Sequence, residues 1–211
     1  LGSSCIFPKF ASQPIKEEYL LTNELEPTNQ WYAIAKISGV KLIEAIRKEY
    51  NRDYVSLMPT NLYGPHDNFD LETSHVLPAM IRKFHEAKEN NHAKVTLWGS
   101  GSPMREFLHV DDLGQAVLFA LEHKLEEHLY NVGSGNDLTI KALAEIIQKV
   151  VGHKGEVIWD DTKPDGTPKK LMDSSKLNAK GWKSIIDLEK GIKTTYEWFL
   201  GHNESFKEIK Y

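Results

Sequence analysis

The sequence predicts an α/β fold in which helices and strands alternate along the chain. Apolar residues recur at three- and four-residue steps over 29–50, which is the period of a helix. Short apolar runs bounded by Gly, Pro, Asn or Asp are typical of buried strands. These runs lie at 54–58, 95–98, 106–110, 129–132 and 156–159. Because helical periods separate them, we expect parallel pairing rather than an all-β sandwich.

The helix starts have recognisable signals. The segment Glu26-Pro27-Thr28-Asn29 supplies the start of the first helix, 29–50, and Thr139 precedes a helix over 140–151. Asp111-Asp112 are expected to cap a helix that runs to about 121, because carboxylates favour a helix N-terminus. Two further helices are predicted over 75–90 and 188–200, and a polar loop over 60–70.

Composition places the chain among ordinary globular domains. Its 211 residues are 40% hydrophobic and 27% charged, with a net charge of −4, so no basic field favours nucleic acid or an anionic membrane. Cys5 is the single cysteine, which excludes an intrachain disulfide or CxxC metal site and favours a reducing compartment. No apolar run approaches about 20 residues. We therefore expect a cytoplasmic protein without a metal ion, and a chain that begins mid-fold at Leu1.

Tyr32 and Lys36 stand four residues apart in the first predicted helix, so their side chains share one face. A tyrosine is a poor acid or base near neutral pH until a neighbouring cation favours the phenolate. Lys36 supplies such a cation. Packing and solvation explain the same pair without any chemistry, so the spacing alone leaves both interpretations open.

Several motifs in order nevertheless resemble one family. The segments are 1–8 (LGSSCIFP), 32–36 (YAIAK), 59–69 (PTNLYGPHDNF), 74–76 (SHV), 105–112 (REFLHVDD) and 163–168 (KPDGTP). Together they resemble the extended short-chain dehydrogenase/reductases that act on nucleotide sugars, and most closely the GDP-L-fucose synthase family, over residues 1–200. The first of these segments is expected at the end of a strand.

This resemblance implies a fold and an activity. The fold is a Rossmann-type parallel sheet with a smaller α/β substrate domain. The N-terminal strands of the sheet and the Gly-rich loop are missing. Residues 1–70 belong to the NADP-binding domain, and residues 71–211 belong mainly to the GDP-sugar domain. The activity converts GDP-4-keto-6-deoxy-D-mannose to GDP-L-fucose by epimerisation at C3 and C5 and NADPH-dependent reduction at C4. A chain representing the C-terminal two thirds is expected to bind the cofactor poorly alone.

The resemblance also assigns residues. The expected catalytic groups are Ser3, Tyr32, Lys36, Cys5 and His75, with Cys5 and His75 as the acid/base pair for epimerisation. The expected NADP(H) contacts are Tyr32, Lys36, Pro59, Asn61, Leu62 and His75. The expected GDP-sugar contacts are Asn61, Trp98, Arg105 and Lys170, with the two cations on the diphosphate.

Each assignment has a simpler alternative. Cys5 is also explained as a buried small residue, His75 as a helix N-terminal residue, and Trp98 as strand core. Arg105 is also explained by a surface ion pair, and Lys170 by a solvated loop charge. The polar tract 160–170 is either a surface loop or a basic loop that closes on a phosphate.

Two other functions stay open at this point. The first is another extended reductase, a 4,6-dehydratase or a C4 epimerase; dehydratases of this group typically carry an Asp-Glu pair where this chain has Ser4-Cys5. The second is a non-catalytic relative that keeps the fold. The helix over 29–50 is apolar on more than one face, and in the family such helices build a homodimer; a wide core stripe explains the same pattern.

Overall fold

The computed structural model describes residues 1–202, so residues 203–211 of the predicted substrate domain lie outside it. The helices are α1 (Gln30–Tyr50), α2 (Val76–Glu89), α3 (Val110–Glu122), α4 (Ile140–Val151), α5 (Ser175–Ala179) and α6 (Leu188–His202). The strands are β1 (Ser56–Pro59), β2 (Asn61–Tyr63), β3 (Lys94–Trp98), β4 (Met104–His109), β5 (Leu129–Val132), β6 (Asp137–Thr139), β7 (Glu156–Asp160) and β8 (Lys169–Lys170). Short 3₁₀ turns occupy Ser4–Ile6 and Glu17–Tyr19. None of the helices within residues 1–202 has the length and apolar character needed to cross a bilayer.

The strand pairs confirm a mixed α/β fold. β1 pairs in parallel with β5, with Ser56 opposite Leu129, and β3 pairs in parallel with β7, with Val95 opposite Val157. A further small sheet has the strand order β2-β4-β6, with β8 beside β4. Helices separate the paired parallel strands in the chain, as such connections require.

The described residues divide into two compact units. Unit 1 comprises 1–62, 105–137 and 169–185, and unit 2 comprises 63–104, 138–168 and 186 onward. Unit 1 has two apolar clusters, one joining the inward face of α1 to β1 and the other joining β5 to α3. In unit 2, α4 packs against α2 and α6 through buried residues that include Phe84, Leu143, Ile147 and Phe199.

Most element predictions are confirmed to within two residues, and the differences have local causes. The predicted loop over 60–70 begins with β2, and β6, β8 and α5 were also missed; all are too short to show a period. The N-cap of α3 is His109, whose side chain accepts a hydrogen bond from the Asp111 amide. Asp111 and Asp112 therefore lie in the first turn, so the prediction that they cap the helix was wrong, although their charges still favour that end.

Candidate active site

Ser3 and Cys5 lie in a tight 3₁₀ turn, not at a strand end as predicted. Ser3 is the N-cap of the turn Ser4–Ile6, and its Oγ accepts a hydrogen bond of 3.1 Å from the Cys5 amide. Ser4 is buried, whereas Ser3 and Cys5 are half-buried. Of the two neighbouring serines, Ser3 is therefore the one that a ligand can reach.

Helix α1 is attached to this first segment by two hydrogen bonds. Asn29, which precedes the helix, donates from Nδ2 to the Cys5 carbonyl oxygen at 3.1 Å, and Lys36 donates from Nζ to the Leu1 carbonyl oxygen at 3.2 Å. Seven residues bring a helix back to within about 20° of the same direction, and Tyr32 lies within about 60° of both donors. The phenol is thus on the side of α1 that is tied to Ser3 and Cys5.

The structure brings Tyr32 and Lys36 together as their spacing predicts. The Lys36 ammonium lies 5.9 Å from the centroid of the Tyr32 ring, a cation–π distance. Tyr32 is 45% exposed although its neighbour Ala33 is buried in the core. The helix is therefore held by its apolar face while the phenol stays open to a ligand.

A contact between Cys5 and Lys170 was not predicted. The Lys170 ammonium lies 3.7 Å from Cys5 Sγ, and both side chains are half-buried. Lys170 belongs to β8 rather than to a loop. The alternative of a solvated loop charge is therefore wrong for this residue.

The segment after Lys170 is held by hydrogen bonds on both sides of its backbone. The Leu171 amide donates to Gln13 Oε1 at 2.8 Å, and the Leu171 carbonyl accepts from the Ile15 amide at 2.7 Å. The Met172 amide donates to Glu106 Oε2 at 3.0 Å. These bonds hold the backbone that carries Lys170 in one position.

Glu106 is a fully buried acid of unit 1 that was not predicted as a site residue. It is fully buried in β4, and its Oε1 accepts from the Gly135 amide at 2.7 Å. Gly133 must be glycine, because a Cβ there would collide with this carboxyl group. Burial raises the pKa of Glu106, and the two backbone donors oppose that shift. The signal available was a carboxylate directly before the apolar Phe107 and Leu108 of a predicted buried strand.

The remaining residues assigned within unit 1 lie on the neighbouring strands. Pro59 is buried at the end of β1, while Asn61 and Leu62 are half-buried in β2. Asn61 Nδ2 donates to the Glu106 carbonyl oxygen at 2.8 Å, so its Oδ1 is the atom offered to a ligand. Arg105 is half-buried in β4, directly before Glu106.

His75 is the N-cap residue of α2 in unit 2. Its carbonyl oxygen accepts from the Ala79 amide at 3.1 Å, and its imidazole is exposed and makes no capping hydrogen bond. The backbone therefore anchors the residue while the ring is accessible. That arrangement suits either a helix terminus or an acid/base group.

Trp98 stands at the end of β3 with its ring 67% exposed, so the alternative of strand core is wrong. The ammonium groups of Lys83 and Lys163 lie 5.5 Å and 5.6 Å from its ring centroid. Burial lowers the pKa of Lys83. Neither Lys83 nor Lys163 is predicted as a site residue, because only the folded chain brings both to one ring.

A side-chain contact holds the tract 160–170 to the turn after β3. Asp165 accepts from the Ser100 amide and from the Ser100 hydroxyl, each at 2.7 Å. Gly99 has a φ of +81°, and a Cβ there would collide with the Asp165 carboxylate. Both features require glycine at this turn. Among residues 1–202, no cluster of three or more His, Cys, Asp and Glu could hold a metal ion.

Comparison with known proteins identifies a family that the chain matches. The model of the NAD dependent epimerase/dehydratase family matches residues 1–133. The chain is 57% identical to the probable GDP-L-fucose synthase 1 of Oryza sativa subsp. japonica, over 99% of this chain and 63% of that protein. It is 54% identical to the GDP-L-fucose synthase of Escherichia coli (strain K12), over 98% of this chain and 67% of that one.

The fold of the chain also resembles that of a solved structure. The GDP-L-fucose synthetase of Naegleria fowleri bound to NADP superposes with a TM-score of 0.88 at 29% identity, covering 97% of this chain and 66% of that one. The chain thus spans a little under two thirds of the rice relative and of this structure.

Proposed function

Because this chain belongs to the NAD dependent epimerase/dehydratase family, we propose that its protein converts GDP-4-keto-6-deoxy-D-mannose to GDP-L-fucose with NADPH. The names of the relatives that match nearly the whole chain support this activity. The observation that carries it is the attachment of α1 to the first segment, which puts Tyr32 and Lys36 on the side of Ser3 and Cys5. The pair Ser4-Cys5 argues against the 4,6-dehydratase alternative.

The epimerisation needs groups that exchange protons with carbon. The C4 ketone acidifies the hydrogens at C3 and C5, and removal of either leaves an electron pair that delocalises onto the C4 oxygen. In the proposal, Cys5 takes a proton from one face and His75 returns one to the other, which inverts the carbon. Thiol and imidazole side chains suit this exchange because each can both take and return a proton.

The same oxygen is the site of reduction. Ser3 donates a hydrogen bond to the C4 oxygen, and Tyr32 delivers a proton to it. When bound, NADPH would supply the hydride that C4 accepts. We propose that Tyr32, Lys36, Pro59, Asn61, Leu62 and His75 hold the cofactor. The accessible Tyr32 phenol and the Lys36 ammonium above its ring fit this assignment.

Substrate recognition is assigned to amide, aromatic and cationic groups. We propose that Asn61 contacts the sugar, that Trp98 packs against the nucleotide, and that Arg105 and Lys170 face the diphosphate, because guanidinium and ammonium groups suit phosphate oxygens. The exposed Trp98 ring, with two ammonium groups near it, supports the second of these. In the same proposal, residues 1–70 complete a Rossmann-type NADP domain and 71–211 contribute mainly the smaller substrate domain.

We also propose a homodimer formed through α1. Trp31, Ile34 and Leu42 are large apolar residues exposed on this helix. Successive steps of three and eight residues keep them within about 80° of one another on its surface. A second copy of α1 would bury this stripe, and sedimentation of the protein with Trp31→Glu would then report a monomer.

The activity is tested by incubating the complete protein with the keto sugar and NADPH in deuterated water. We expect NADPH oxidation, GDP-L-fucose as product, and deuterium at C3 and C5. Cys5→Ser should impair deuterium uptake more than hydride transfer to an already epimerised ketone. Reduction without any deuterium uptake would overturn the epimerase part of the proposal, and a product that keeps the ketone would overturn the reductase part.

A further inference from the structure

We propose that Lys170 is a positioning residue for Cys5, holding its sulfur in place and stabilising the thiolate by charge. This inference rests on the proposed function and adds to it, since resemblance places Lys170 only on the diphosphate. In the step concerned, a thiolate sulfur takes the proton from carbon while the electron pair moves onto the C4 oxygen. An ammonium beside the sulfur favours the thiolate before that transfer.

The contact itself is direct. Lys170 Nζ lies 3.7 Å from Cys5 Sγ, across 165 residues of sequence. Tyr32 and Lys36 lie on the side of α1 that is tied to the Cys5 turn, and Lys170 of β8 reaches the same turn. Lys36 is engaged with the Leu1 carbonyl and the Tyr32 ring. Lys170 is thus the cation that contacts the sulfur.

Both partners are held by their backbones. On one side, the Ser3 hydroxyl and the Asn29 amide fix the amide and carbonyl of Cys5. On the other, Gln13, Ile15 and Glu106 hold the backbone of 171–172. The ammonium and the sulfur therefore meet because two separately anchored segments present them to each other.

The neighbouring lysine provides a matched control. Lys169 also lies in β8 and is also half-buried, but its ammonium pairs with the Asp137 carboxylate at 3.0 Å. Replacing Lys169 by Met removes the same charge one position away without touching the Cys5 contact. A general loss of positive charge or of strand stability would affect both variants alike.

The first test measures alkylation of Cys5 by iodoacetamide in the complete protein, read by mass spectrometry of the peptide that contains Cys5. At pH 7 we expect Lys170→Met to slow alkylation at least about fivefold, which is the effect of one charge near 4 Å when water screens the pair fully. Lys170→Arg should restore most of the rate, and Lys169→Met should match the unmodified protein.

The pH dependence separates charge from access. Near pH 10, well above about 8.5, an ordinary thiol is almost fully ionised without help from a neighbouring charge. If Lys170 acts through its charge, the alkylation rates of Lys170→Met and of the unmodified protein should therefore converge near that pH. A ratio that stays constant from pH 7 to 10 would mean altered access and would overturn the proposal. Equal rates at pH 7, or equal slowing by Lys169→Met, would overturn it too.

The second test uses turnover and keeps the two proposals distinguishable. With Lys170→Met we expect deuterium uptake at C3 and C5 to slow more than reduction of an epimerised ketone, with Lys170→Arg partly rescuing it. A rise in KM alone would leave Lys170 on the diphosphate and overturn this inference. If the unmodified protein shows no turnover, the proposed function fails, while the alkylation result still decides the Lys170–Cys5 contact.

Discussion

Cys5 and Lys170 in unit 1 are held differently from Trp98 in unit 2, although His75 in unit 2 is also anchored by its backbone. In unit 1, the segments carrying Cys5 and Lys170 are fixed by hydrogen bonds to the backbone, and one of the acceptors is the fully buried Glu106. In unit 2, the exposed Trp98 ring contacts two lysine side chains. The tract 160–170 is joined to the turn after β3 through the exposed side chains of Asp165 and Ser100. Backbone anchoring suits proton transfer, which depends on geometry to within a fraction of an ångström, whereas side-chain contacts suit a surface that admits a ligand.

The largest expected effect tests the chemistry of unit 1. Tyr32→Phe removes the proton donor and should lower the rate of ketone reduction by roughly 10²- to 10⁴-fold, the range for loss of a general acid. The measurement is single-turnover NADPH oxidation with saturating keto sugar. Tyr50→Phe, at the exposed end of the same helix, is the control and should be neutral. If Tyr32→Phe reduces the ketone at the normal rate, Tyr32 is not the proton donor and the reduction site does not lie in unit 1.

The next effect tests whether Glu106 anchors unit 1. Glu106→Ala leaves the buried amide of Met172 and the partly buried amide of Gly135 without their acceptor and should lower the free energy of unfolding by about 2–4 kcal/mol. Urea unfolding measures it, with Glu122→Ala on the exposed end of α3 as control. A loss under 0.5 kcal/mol, a threshold set by ordinary surface changes, would show that the anchor is dispensable.

The pH dependence of the same residue has a definite sign. Because burial raises the folded-state pKa of Glu106 above its ordinary 4.5, the folded protein binds a proton more tightly than the unfolded chain does. The contribution of Glu106 to the free energy of unfolding is therefore fully present below pH 4.5 and is lost as the pH rises through the folded-state pKa. The stability difference between the unmodified protein and Glu106→Gln should shrink over that window. A difference that grows with pH would reverse the assignment.

A smaller effect tests the open surface of unit 2. Trp98→Ala should raise the KM for the nucleotide sugar by about tenfold while leaving kcat nearly unchanged, because an aromatic contact made equally in the ground and transition states affects binding alone. Lys163→Met should raise it by a lesser factor, and the exposed Lys154→Met should have no effect. A fall in kcat at constant KM would place Trp98 in the chemical step, against the contrast between the units.

The smallest effect shows what a side-chain contact contributes when it is exposed. Glu44 on α1 accepts from Lys41 at 2.8 Å and from Lys48 at 2.9 Å, and these bonds lower its pKa to about 2. Its contribution is present above pH 4.5 and is lost as the pH falls towards 2. Glu44→Gln should nevertheless cost under about 1 kcal/mol at pH 7, because solvent screens such pairs. A larger loss of unfolding free energy, measured by urea unfolding, would show that exposed ion pairs stabilise the protein more than we expect.

Local signals were sufficient where an element is long or has a cap. Helix α4 begins after Thr139, whose hydroxyl accepts from the Ala142 amide, and ends at Gly152 with a φ of 82°. Both ends are visible in the sequence because cap residues act within one turn. The proximity of Tyr32 and Lys36 follows equally from four-residue spacing. By contrast, β2, β6 and β8 consist of two or three residues each, and only their partners make them strands.

By itself, the sequence determined the alternation of helices and strands, the shared face of Tyr32 and Lys36, and the motifs of the family, since each depends on residues close together in the chain. The tertiary structure alone decided that Lys170 meets Cys5, that buried Glu106 accepts from two backbone amides, and that two ammonium groups lie near the exposed Trp98 ring. The physical reason is that these contacts join residues from 15 to 165 positions apart. Periodicity and capping report only on neighbours within a few turns, whereas burial and long-range contacts arise when the whole chain packs.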